Sequence, residues 1–272
     1  MNTLREGSTG SDVVQLQNKL KDQGFPPGAI DGAFGPGTEA AVLAFQQAHG
    51  LLADGVVGPR TAAALGFADD DVPLPPEMPD ITVAIVSKMF PSTALTPINA
   101  NLPRVLSALQ AADLTTVPII LAALATIRAE TEGFVPIDEG ISRFNTSPGG
   151  QPFDLYDHRT DLGNRGPTDG KDFKGRGFIQ LTGRANYEKF GPVIGINLVG
   201  DPTRANEPDI AAKLLAAFIA SKHMAIKTAL LHDDLATARR LVNGGSHGLD
   251  RFTDAYRTGL RLLSPPISIG SA

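Results

Sequence analysis

The chain has 272 residues, 42% hydrophobic and 19% charged, proportions that suit a globular core and exclude a disordered or fibrous class. With no Cys, disulfides, thiolate metal sites and cysteine nucleophiles are excluded. The formal net charge is −5, and without a basic stripe nothing points to nucleic acid.

The first ten residues, MNTLREGSTG, lack the apolar centre of a signal peptide, and no apolar run reaches membrane-spanning length. Membrane insertion is therefore not expected. The protein is expected to stay in a cytoplasm unless another route releases it.

A helix is predicted from about Ser11, with Val13, Leu16 and Leu20 on one face. An internal repeat follows: Asp31-Gly-Ala-Phe34-Gly-Pro36-Gly-Thr38 returns as Asp54-Gly-Val-Val57-Gly-Pro59-Arg-Thr61. In each copy Asp-Gly supplies a tight turn, an apolar residue points inward and Gly-Pro opens a helix. Residues 1–66 are thus expected to form a small three-helix domain. Residues 67–80, FADDDVPLPPEMPD, hold five acidic residues, no basic ones and repeated prolines, a composition suited to a solvated linker.

From 81 to 272 a second domain is expected, mostly α with some strand. Helical spacing of apolar residues is seen over Ile81–Phe90, Ile98–Ala112, Val117–Glu130, Asp209–Leu230, Leu235–Val242 and Arg251–Leu263. Between 133 and 180 the periodicity lapses into Gly, Pro, Asn, Asp and aromatic residues, and a long irregular stretch in a helical domain is usually functional.

Glu130 closes the third of these helices. It lies near the direction of a stripe formed by Ile120, Leu124 and Ile127, so it is expected to face the interior or a cleft wall. A carboxyl against apolar walls holds its proton more tightly, as a general acid must. The competing reading is a helix-end carboxylate satisfied by a nearby Arg. Glu139 follows across a Pro-containing turn, and glycosidic hydrolysis needs two carboxyls flanking the bond. The block Phe173-Lys-Gly175-Arg-Gly177-Phe-Ile-Gln180-Leu-Thr182-Gly-Arg-Ala-Asn186-Tyr187 sets amides and a hydroxyl among apolar residues, a plausible sugar lining. The five histidines form no His-Glu-x-x-His or other close pair, so neither metal nor cofactor is expected.

Two resemblances rest on these residues. Leu4-Arg-Glu-Gly-Ser, Val13-Val-Gln-Leu16-Gln, the two Asp-Gly-x-x-Gly-Pro-x-Thr turns and Phe45-Gln-Gln resemble the peptidoglycan-binding domain type 1 family, a non-catalytic wall-anchoring module. Residues 81–263 resemble glycoside hydrolase family 19, of lysozyme-like fold. The motifs are Ala129-Glu130-Thr-Glu-Gly-Phe134, Asp161-Leu-Gly-Asn164, the Gly175–Tyr187 block and Val242-Asn243-Gly-Gly245. The second resemblance implies Glu130 as general acid, Glu139 as second carboxylate and Thr182 as the hydroxyl holding the attacking water. Gln180, Asn186, Tyr187, Asn243 and Asp157 are the substrate contacts it implies, and Asp157 also competes for the role of second carboxylate. Ala129 departs from the family, which usually has His there.

Together the resemblances imply a modular phage endolysin: a monomeric, inverting muramidase that cuts the β-1,4 bond between N-acetylmuramic acid and N-acetylglucosamine. Peptidoglycan is its implied partner, reached from a host cytoplasm. A chitinase of the same fold, a lytic transglycosylase and a catalytically silent wall-binding protein are the alternatives.

Overall fold

The structure is a computed structural model that describes residues 3–67, 79–243 and 247–263. The expected linker lies almost wholly outside the described residues.

The first three helices are α1 (Ser11–Asp22), α2 (Pro36–Ala48) and α3 (Pro59–Ala64), and α2 and α3 each begin on the proline of a repeat turn. Proline fits there because the first-turn N–H has no helical partner to lose. Leu4, Val13, Leu16, Leu20, Phe34, Val42, Phe45, Val57 and Leu65 form one buried cluster, so the inward residues of both repeats, Phe34 and Val57, do point inward.

The repeat goes deeper than the turns. Gln17 Nε2 lies 3.0 Å from Asp31 Oδ1 and 3.1 Å from Thr38 Oγ1, while its Oε1 accepts Gly32 N–H at 3.0 Å. Gln46 repeats this with Asp54 Oδ1 at 2.9 Å, Thr61 Oγ1 at 3.2 Å and Gly55 N–H at 3.0 Å. Each turn is thereby fastened by a buried amide on a preceding helix, which leaves few of the turn's polar groups unpaired.

A second and larger cluster draws on every remaining helix except the short Asp169–Asp172. The remaining helices are α4 (Val83–Met89), α5 (Leu95–Ala111), α6 (Val117–Glu130), α7 (Asp169–Asp172), α8 (Arg184–Val193), α9 (Pro208–Ala220), α10 (His223–Leu231), α11 (Leu235–Asn243) and α12 (Leu249–Leu263). The expected helix over Asp209–Leu230 is two: α9 and α10 meet at 70° around Ser221 and Lys222. Among the described residues no single helix is long and apolar enough to cross a membrane. Helix α8 forms where no helix is expected, opening after Gly183 at φ 90°.

Helix α6 is the axis of this cluster. Every residue from Ile119 to Ala129 is buried, Thr126 and Arg128 included, so it is a core helix and not the one-sided amphipathic helix that a stripe suggests. The irregular segment after it contains one small antiparallel ladder, β1 (Ile137–Asp138) against β2 (Arg176–Gly177), with Ile137 opposite Gly177 and Asp138 opposite Arg176. The expected fold class, mostly α with a little strand, is the observed one.

The two clusters touch at α3. Arg60 donates from Nη1 to Gln110 O at 2.9 Å and from its backbone N–H to Asp113 Oδ2 at 3.3 Å. A cavity of about 640 Å³ runs along this seam, with Arg60, Thr61, Asp113, Lys222 and His223 in its walls.

Candidate active site

Glu130 is the last residue of α6, and its side chain is only 9% exposed. The guanidinium of Arg239 on α11, itself fully buried, approaches Glu130 Oε1 at 2.8 Å. Arg239 is locked in turn by donating from Nε and Nη2 to His247 O at 3.0 and 2.8 Å. Burial pushes the Glu130 carboxyl above the usual carboxylate range; the positive field of Arg239, with smaller contributions from His247 and Arg251, opposes the shift without cancelling it. Glu130 is thus paired with an Arg, and its carboxyl still holds its proton more tightly than an ordinary one.

Ala129, the departure from the family pattern, is 2% exposed. Gly248, at φ 70°, brings its backbone so close that a side-chain carbon there would lie 3.2 Å from Ala129 Cβ. Small residues at both positions let the start of α12 close over the end of α6.

Glu139 sits one residue past β1. Oε1 accepts from Asn145 Nδ2 at 3.0 Å and from the Tyr156 hydroxyl at 2.9 Å, and Oε2 accepts from Gly175 N–H at 3.0 Å. Three donors from three parts of the chain face its two oxygens. Burial, reinforced by the Glu139 carboxylate, pushes the Tyr156 phenol up to about 12, so Tyr156 stays a hydroxyl donor at neutral pH.

Gly175 marks where Glu139, Gln180 and Thr182 meet. A side-chain carbon on it would lie 2.9 Å from Gln180 Oε1, 3.1 Å from Glu139 Oε2 and 3.1 Å from Thr182 Oγ1. Three polar groups from two chain segments thus converge on one gap that only glycine keeps open. Gln180 Nε2 is held by Ile137 O at 2.9 Å, and the Thr182 hydroxyl donates to Gln180 O at 2.8 Å. Asn186 supports this from behind, donating from Nδ2 to Thr182 O at 2.7 Å.

One expected substrate contact is corrected. Tyr187 is fully buried; its ring packs against Phe173 and its hydroxyl bridges Arg176 Nη1 and Lys174 O. Its place in the motif reflects packing, since the aromatic body fills the core behind β2. Asp157 accepts the Gly170 N–H at 2.9 Å and so fastens the first turn of α7. Its neighbour Tyr156 is the residue that reaches Glu139. Asn243 ends α11, and its side chain lies outside the described residues.

Sequence reasoning missed Arg239, Asn145 and Tyr156. Arg239 had a faint signal, standing four residues before Asn243 on the same helix face; the other two are brought to Glu139 only by the folding of the irregular segment. That segment is tied down by Asp138, which contacts Lys174 Nζ at 2.8 Å, Arg176 Nε at 3.0 Å and Asn206 Nδ2 at 2.7 Å. Burial alone would raise the Asp138 carboxyl, but these donors outweigh it and hold it below the usual range. Among the described residues no group of three His, Asp or Glu side chains is arranged to hold a metal ion.

Residues 9–65 match the family described as "Putative peptidoglycan binding domain". The small unit carries this match. Among curated proteins, the chain is 49% identical over 73 residues to the zinc D-Ala-D-Ala carboxypeptidase of Streptomyces albus G, covering 25% of this chain and 28% of that protein. It is 44% identical over 62 residues to a spore cortex-lytic enzyme of Bacillus cereus, covering 23% and 24%. The chain thus spans about a quarter of the length of the curated relatives it matches. Chitinase C from Streptomyces griseus HUT6037 is similar in structure with a TM-score of 0.49 at 22% identity, over 67% of this chain and 76% of that one.

Proposed function

We propose that the protein is a bacterial cell-wall hydrolase whose small unit holds peptidoglycan while the larger one cuts the glycan. The single observation that carries the glycosidase reading is the pair of unlike carboxyls. Glu130 is buried and protonated more readily than usual; Glu139 is held by three donors beside Thr182 and Gln180. Unlike environments are what separate an acid from a base at one pH. In this reading Glu130 protonates the leaving oxygen. Glu139 draws a proton from a water lodged by Thr182, and that water attacks the anomeric carbon from the opposite face.

The relatives support wall binding but not the bond. A carboxypeptidase and a cortex-lytic enzyme share stretches of 73 and 62 residues with this chain, so similar stretches occur alongside more than one chemistry. The muramidase specificity, the family 19 kinship and the role of a phage endolysin released from a host cytoplasm rest on the motifs of residues 129–187. The division into 1–66, a linker over 67–80 and 81–272 belongs to the same reading and agrees with two separate buried clusters.

A second reading has one observation in its favour. Both Glu139 oxygens already accept hydrogen bonds, and a lytic transglycosylase needs only the acid. Mass spectrometry of sugars released from purified sacculi separates the two. Reducing-end muramic acid is expected; anhydromuramic acid would establish the transglycosylase, and reducing-end glucosamine would move the cut to the other glycosidic bond.

A further inference from the structure

The segment that carries Glu139 is also where the surface is most apolar. Among the described residues, Val135, Ile137, Ile141, Phe144 and Leu155 make up half of the large hydrophobic side chains left exposed, all within one irregular stretch. Phe144 is 73% exposed and is the only aromatic among them. Leaving such a ring in water forgoes the free energy that burying it would give, and clustered exposed apolar groups mark binding surfaces.

The ring is exposed but its support is not loose. Asn145, the next residue, is fully buried. It donates from Nδ2 to Glu139 Oε1 at 3.0 Å and to Gly140 O at 2.9 Å, and its Oδ1 accepts Ser142 N–H at 2.8 Å. Phe144 N–H bonds Ser142 Oγ at 3.3 Å, and Leu155 N–H returns to Asn145 O at 3.2 Å. The backbone that presents Phe144 is therefore fixed against the carboxylate by one shared side chain. The Arg143 guanidinium sits over the ring at 4.9 Å from its centroid, yet Phe144 stays 73% exposed, so ring surface remains open to a ligand.

Resting on the glycosidase reading, we propose that Phe144, flanked by Ile141, is a stacking platform for a sugar ring of the glycan strand, setting the strand's register over Glu139. A pyranose presents a flat C–H face on which an aromatic ring fits, as in other sites where aromatic walls frame a few polar groups. The continuity from Phe144 through Asn145 to Glu139 selects a glycan strand as the occupant. A wall sugar seated on the ring would lie beside the carboxylate that the same turn positions.

The chain has no Trp, so Phe144→Trp introduces a sole tryptophan reporter at the platform. In that variant, soluble muramic acid–glucosamine fragments are expected to shift the emission to the blue, saturably and with quenching by iodide reduced. In the otherwise unaltered protein, Phe144→Ala is expected to raise KM roughly three- to tenfold with kcat nearly unchanged, the scale of one aromatic contact. Phe144→Tyr should restore KM, and Leu231→Ala, an equally exposed position on α10, should leave it alone. An unshifted emission with every glycan tested, or a wild-type KM in Phe144→Ala, overturns the platform. A shift that follows protein concentration without sugar also overturns it, since a second copy then covers the ring. If no glycan is cleaved, the glycosidase reading falls, and the saturable emission shift alone then decides whether sugar occupies the platform.

Discussion

Arg239 Nη2 lies 2.8 Å from Glu130 Oε1, and the arginine is fully buried while the carboxylate is nearly so. A buried ion pair normally settles a carboxylate in its charged form, yet here desolvation outweighs the attraction and the acid is raised. A partner that moderates the shift without abolishing it is suited to an acid that must give up its proton and take it back.

Replacing Glu130 by Gln keeps an oxygen for Arg239 and removes the titratable proton. Turnover on soluble wall fragments should fall by about two or more powers of ten, the scale of a general acid. Sacculus binding and Tm should scarcely move. Near-normal turnover in the folded variant removes Glu130 from the mechanism.

The pH profile follows from the same pair. In the proposed role the working form of Glu130 is protonated, so activity should be present below its folded pKa and lost as pH rises through it. Because that pKa is raised, the alkaline limb of kcat/KM should fall above the ordinary carboxylate range. Arg239→Gln removes the main opposing charge and should carry the limb to higher pH. A limb that stays put, or moves to lower pH, assigns it to another group.

For the second carboxyl, Glu139→Gln should remove most activity, while Asp157→Asn should keep a substantial part, since Asp157 serves the first turn of α7. Tyr156→Phe deletes one of the donors to Glu139 and should leave a reduced activity between these two. An inverted anomeric product, read by NMR early in the reaction, fits carboxyls roughly 6.5–9.5 Å apart. The opposite order of the Glu139 and Asp157 variants would pass the base role to Asp157.

The small unit should contribute local concentration and no chemistry. Deleting 1–66 should weaken sacculus binding and lysis, with activity on soluble fragments preserved. Undiminished binding by the shortened protein in a pull-down with sacculi would contradict the division of labour.

At the seam, burial pushes the Asp113 carboxyl from 3.8 to about 6, against the opposing pull of Arg60 and with a small push from Asp54. The folded state then binds the proton more tightly than the unfolded one, so stability falls as pH rises from about 4 to about 6. The loss should be about 1–2 kcal/mol after allowance for partial exposure. Asp113→Asn should flatten the dependence of Tm on pH across that window; an unchanged slope would refute the assignment.

What the sequence determined by itself was local. The two Asp-Gly-x-x-Gly-Pro-x-Thr turns announced α2, α3 and the inward Phe34 and Val57, because turn geometry and a first-turn proline act over a few residues. The helical spacing of apolar residues over 117–130 announced α6, and the Gly175 block announced a cluster of amides and a hydroxyl, each from neighbouring residues alone. Tertiary structure decided the rest. It set Gln17 and Gln46 as the fasteners of the turns and placed Tyr187 in the core. It bent α9 from α10, and brought Arg239 to Glu130 and Tyr156 and Asn145 to Glu139. Those contacts join side chains distant in sequence, and no local pattern encodes them: a carboxylate's partner, and so its protonation, is chosen by what the folded chain packs beside it.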